Sequence, residues 1–244
     1  MMGRIEETSP RFKARMAGLF YLLTILTGGL GFYVGSRFLV SGDAAATATK
    51  ILANQPLFRF GYAVQLLATV CYVVVTALFY ELFKPVSRNL SLLAAFFSLV
   101  GCSFGVLSCL LYFAPLVVLR GAQSLGSFQV EQLQALALLF LKLSAQANNT
   151  GLVLFGFYCL LIGYLIVRST FLPRAVGALM VIAGLGWLTF LSPPLAEQLA
   201  PFNMAASILG EASLTVCLLV MGVNAQRWHL EASSGMPERP STPP

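Results

Sequence analysis

The residue with the clearest chemical potential in this 244-residue chain is Glu211, an acid in the middle of the apolar run Pro201–Arg227, PFNMAASILGEASLTVCLLVMGVNAQR. The other long apolar runs carry no charge in their interiors. A carboxylate at bilayer depth is costly, and such groups face a bundle interior or a wet cavity, where they exchange protons or pair with a ligand. Gln65, Arg59, Asn203, Asn148 and Asn149 are the polar groups that could join it. Glu211 lies sixteen positions before Arg227 and Gln65 sixteen before Glu81, which puts both about 24 Å from the same boundary at 1.5 Å per residue. Arg59 falls one to two turns farther out, Asn203 precedes Glu211 by eight residues, and Asn148 and Asn149 enter their helix from that same side. The spacing therefore predicts an outward-opening polar pocket around Glu211, with Gln65 as hydrogen-bond partner and Arg59 as counter-charge. The structural alternative is an acid protonated or bonded to a neighbouring helix, with Arg59 and Asn203 at the headgroups.

The elements that must position these groups are membrane helices. Hydrophobic residues make up 58% of the chain and charged residues 10%, against about a quarter charged in an ordinary soluble domain. Mean hydropathy is +0.82. The fold class that follows is all-α: a polytopic membrane bundle of six transmembrane helices, since each crossing takes about 20 residues. The predicted spans are residues 16–36, 57–83, 90–119, a fourth ending at Val167, 175–191 and 201–227. For the fourth, one long helix through Lys142 and a separate interfacial helix before Lys142 both fit the pattern. An Ala-rich stretch after Asp43 predicts a short helix on the membrane surface. Residues 1–13 read as a polar leading segment, 14–227 as the transmembrane domain, and 228–244 as a disordered Pro- and Ser-rich tail.

Ten Lys and Arg residues (Arg4, Arg11, Lys13, Arg15, Lys84, Arg88, Arg168, Arg174, Arg227, Arg239) fall on the side of the termini and five (Arg37, Lys50, Arg59, Arg120, Lys142) on the other. That two-to-one excess predicts cytoplasmic termini. Basic residues stand singly at span ends, so the net charge of +6 is a topology signal and not a nucleic-acid footprint. Five cysteines sit inside apolar runs without CxxC or His-paired spacing, which predicts packing roles and no metal. No nucleophile–base pair, phosphate loop or cofactor motif is present. The glycines Gly28, Gly31 and Gly35, and the pair Gly101 and Gly105, predict close helix packing.

Three segments, ARMAGLFYLLTILTGG at Ala14–Gly29, LFGFYCLLIGYLIVRSTFLPRAVGALMVIAGLGWL at Leu154–Leu188, and GEASLTVCLLVMGV at Gly210–Val223, resemble the bacterial integral-membrane family catalogued as domain of unknown function 4386. The clearest part is GYLIVRSTFLPRAVG. The resemblance implies a multi-pass protein of the bacterial inner membrane with no assigned reaction, and makes Glu211 the acidic position carried over. It also implies relatives with His where Tyr158 stands, so His-dependent chemistry does not carry over to this chain. Three function classes follow: binding or transport of a small molecule or proton through the pocket, a non-catalytic scaffold or sensor subunit acting through a partner, and an intramembrane lipid-modifying enzyme. The last ranks lowest because only one acid is available. The bilayer is the expected partner, with a small-molecule ligand and no nucleic acid; oligomeric state leaves no mark on the sequence.

Overall fold

The computed structural model describes residues 9–121 and 128–234, and every regular element among them is helical. The calls on residues 1–8, including Arg4, and on 235–244, including Arg239, lie outside the described residues. Six helices are long and apolar enough to cross a membrane: α1 (Pro10–Ser36), α3 (Gln55–Phe83), α4 (Arg88–Arg120), α5 (Val130–Arg168), α6 (Arg174–Leu188) with its 3-10 turn at Thr189–Leu191, and α8 (Ala200–Val220). Shorter helices are α2 (Ala44–Ala53), α7 (Pro193–Gln198) and α9 (Ala225–Ser234).

Local chemistry sets many of these ends. Asp43 caps α2 by accepting from the Ala46 N–H at 2.8 Å, and Gln129 and Gln132 form a reciprocal capping box at the start of α5. Prolines stand in the first turns of α1, α3, α7 and α8, where the missing N–H has no cost. Outward faces are apolar: Phe202 is 73% exposed, Val220 70% and Phe32 66%. Such surface belongs against lipid tails, not water.

Backbone contacts link the spans in chain order, α1 to α3, α3 to α4, α4 to α5, α5 to α6 and α6 to α8, and α8 closes on α1. The ring surrounds a core of Tyr21, Tyr72, Phe79, Tyr158, Ile162, Met180 and Leu214, among others. Glycines set the tightest seam. A Cβ on Gly163 would stand 2.7 Å from the Gly177 carbonyl, and one on Gly156 3.0 Å from that of Gly184, so α5 and α6 touch backbone to backbone. Hydroxyls tie α4 to its neighbours. Ser108 and Ser144 each donate to the other's carbonyl, at 2.9 and 2.8 Å, and Thr76 and Ser98 share a bond of 2.6 Å.

The structure decides one open alternative, shows what α2 packs against, and moves one boundary. Lys142 lies within one uninterrupted helix, α5, of 39 residues, so no separate interfacial helix precedes it. At about 58 Å, α5 is nearly twice the thickness of a bilayer core, so about half of its length extends beyond one. The Ala-rich stretch forms the short helix α2, and one face of it packs on this protein: Thr47, Ala48 and Ile51 are buried, and Ile51 joins Val34, Phe38, Phe58, Tyr112, Leu116 and Leu141 in a second core. The sixth span ends at Val220, not Arg227. Gly222 then turns the chain with φ at 65°, a conformation that suits glycine after a helix, and α9 begins at Ala225. Residues 228–234, read as tail, are therefore helical, docked by a 2.9 Å bond from the Trp228 indole N–H to the Leu82 carbonyl.

Candidate functional site

Gly210 brings α8 against α6. A Cβ there would meet the Ala183 Cβ at 2.6 Å, so only glycine allows this approach. One turn earlier Ser207 donates to the Ala183 carbonyl at 3.2 Å, fixing the rotation of α8. Trp187, one turn beyond Ala183, then reaches the acid: its indole N–H donates to Glu211 Oε1 at 2.7 Å. Glu211 keeps some accessible surface in the bare chain, while dense packing surrounds the carboxyl itself.

Phenols close the other side. Tyr21 on α1, Tyr72 on α3 and Tyr158 on α5, with the Cys159 thiol, lie within electrostatic reach of the Glu211 carboxylate. The Tyr21 hydroxyl approaches closely enough to serve as a second donor, without reaching standard hydrogen-bond geometry. Tyr21 packs edge-on against Tyr72 at 5.6 Å, and Tyr72 against Tyr158 at 5.9 Å between ring centroids. The Tyr21 and Tyr158 hydroxyls are buried without a hydrogen-bond partner, each at a cost of about 1–3 kcal/mol. No Lys, Arg or His among the described residues pairs with Glu211. One acid, one indole donor and three phenols from five spans thus meet at one place. An indole N–H can only donate, whereas a phenol can donate or accept, so the set can bond either protonation state of the carboxyl.

Height along each helix locates the cluster. Glu211 lies nine residues from the end of α8, Tyr72 eleven from the end of α3, Tyr158 ten from the end of α5, and Tyr21 eleven from the start of α1. All are about 14–16 Å from the same end of the bundle, close to half the thickness of a bilayer core.

The other polar residues expected around Glu211 sit elsewhere. Gln65, eighteen residues from the end of α3, faces Gly31 of α1, whose added Cβ would meet the Gln65 Cβ at 3.3 Å. Asn148 and Asn149 are half-buried on α5, nineteen or twenty residues from its end. Asn203 is buried and committed, donating to the Thr189 hydroxyl at 2.8 Å. Gln65, Asn148, Asn149 and Asn203 share a level about 26–30 Å from the end, some 12 Å beyond Glu211. Arg59 is exposed and farther out still, so it is no counter-charge to the acid. Tyr21, Tyr72 and Trp187 were missed because their rings read as packing in an apolar run, and Tyr158 was marked only as the place where the resemblance implies His in relatives. The signal available was the polar tip each carries, unusual at the centre of a span.

The model of the family described as Domain of unknown function (DUF4386) matches residues 16–222, and the chain belongs to that family. No curated protein and no solved structure matches it.

Proposed function

We infer that this member of the family is a multi-pass membrane protein that exchanges a proton at Glu211, coupled to movement or binding of a small molecule. The observation that carries this reading is the Glu211 carboxyl held by an indole donor with no cation beside it among the described residues, amid the buried phenol hydroxyls of Tyr21 and Tyr158. An unpaired charge in such surroundings is costly, and proton exchange relieves it. The rings fill the space around the acid by packing on one another, which suits a proton better than a larger ligand at this point. Gln65, Asn148 and Asn149, whose side chains make no hydrogen bond to the described residues, supply the outward polar approach. The two-to-one excess of basic residues supports cytoplasmic termini, and the family resemblance supports the bacterial inner membrane.

Glu211→Gln tests the reading, since the amide keeps shape and hydrogen bonding while removing the titrating group. Infrared difference spectra of the protein in proteoliposomes, taken across a pH titration, should show a carboxyl band in the parent that is missing from the variant. Identical spectra from parent and variant would leave Glu211 a packing residue and end the proposal.

A further inference from the structure

At the end of the bundle that carries the termini, a cavity of about 420 Å³ opens between three turns. Its lining includes Arg11 from the first turn of α1, Thr170 and Phe171 from the α5–α6 connection, Met221 and Asn224 from the α8–α9 turn, and Arg227 of α9. Both guanidinium groups are held in place by main-chain carbonyls. Arg11 Nε donates to Val223 O at 3.4 Å, and Arg227 Nη1 donates to Thr170 O at 3.0 Å. A guanidinium has five N–H donors, so each keeps several for a ligand. Among the described residues, neither arginine pairs with an acid and no acid lines the cavity. Glu231, which approaches from α9, accepts from the Thr170 N–H at 3.1 Å.

The level of the cavity decides what would fill it. α1 starts at Pro10, α5 ends at Arg168, α6 starts at Arg174 and α8 ends at Val220. The cavity therefore lies where the spans leave the hydrocarbon, at headgroup height. Phe171 is buried at 5% exposure, whereas Met221 stands 61% exposed at the rim, an apolar contact suited to the first carbons of an acyl chain. Two fixed guanidinium groups beside apolar rim surface match a phosphate diester with an attached lipid. We propose that this cavity is a binding site for the phosphate of an anionic phospholipid, with Arg11 and Arg227 as its ligands. The site is separate from Glu211 and does not depend on the reading given to that residue.

The test is native mass spectrometry of the purified full chain, titrated in detergent with phosphatidylglycerol or phosphatidylcholine. Parent protein should retain phosphatidylglycerol in preference to phosphatidylcholine, and high salt should weaken retention. Each arginine replaced by Gln should lower affinity about fivefold, so the R11Q/R227Q double variant should lose the preference. R11K/R227K keeps the charge and should retain much of the binding, which separates lipid recognition from damage to the fold. Should the Gln pair fail to fold, R11Q alone and the salt dependence of the parent carry the decision. Equal retention by parent and Gln variants, equal retention of the two lipids, or displacement by inorganic phosphate alone would each overturn the proposal, the last by assigning the cavity to a soluble anion.

Discussion

Trp187→Phe should destabilise the bundle through Glu211 and through no other polar contact. The substitution keeps an aromatic ring on α6 and deletes the one N–H that donates to the carboxyl at 2.7 Å. Leaving a buried acceptor unsatisfied costs about 1–3 kcal/mol in proteins generally. Interhelical hydrogen bonds in bilayers measure lower, about 0.6 kcal/mol on average and about 1.7 at most. The bond is short and its acceptor is an acid, so the upper part of the second range applies, and a loss of about 1–1.7 kcal/mol is expected. For a chain of this size that shifts the melting midpoint by about 2–7 °C. The smaller ring also packs less well, so a double-mutant cycle is required. In a Glu211→Leu background no acceptor exists, and Trp187→Phe should cost only the packing difference. In a Glu211→Gln background the amide oxygen still accepts, and most of the cost should remain. Thermal denaturation of the four proteins in one detergent gives the coupling. If Trp187→Phe costs the same in the parent and in Glu211→Leu, to within about 0.5 kcal/mol, the bond contributes nothing and the site loses its anchor.

Two further outcomes are expected. Gly163→Ala places a Cβ 2.7 Å from the Gly177 carbonyl and should cost about 1–3 kcal/mol as α5 and α6 are forced apart. Gly29→Ala, with nothing within 4 Å, should be neutral or stabilising by up to about 1 kcal/mol; equal melting temperatures for the two variants would contradict the close α5–α6 seam. Phosphatase fusions report orientation: activity is expected at Glu197 and none at Pro85 or Ser169, and an active Ser169 fusion would reverse the orientation inferred from the basic residues.

The spans were legible because crossing a membrane demands long apolar runs, and those runs are visible without any knowledge of packing. Glu211 was legible for the same reason, as the one charge inside such a run. Its neighbours were not. Height was counted from Arg227, whereas α8 stops at Val220, and those seven residues lifted Glu211 by about 10 Å, to the level of Gln65 instead of Tyr72. Gly222 followed by polar residues was the stop signal that could have corrected it. Azimuth is a separate loss. Nothing in the spacing says that α1 stands between α3 and α8, yet that placement keeps the Gln65 helix from packing on the Glu211 helix. Tyr72 adjoins the acid's surroundings through Tyr21 of α1, against which its ring packs at 5.6 Å.

Closure of the ring has a consequence for assembly. Five of its six seams join spans that follow one another in the chain, so each can form as soon as the next span is inserted. The α1–α8 seam alone waits for the last arrival. Trp187 meets Glu211 across a seam between successive spans, so the indole is present to receive the acid from the outset. Tyr21 meets it across the final one. The acid therefore enters the bilayer with one donor in place and gains its α1 phenol neighbour only when the two extremes of the chain come together. A chain whose first span is missing or misplaced would leave Glu211 facing lipid on that side, where a carboxylate is costly. The surroundings of Glu211 are thus complete only once the first and last spans have met.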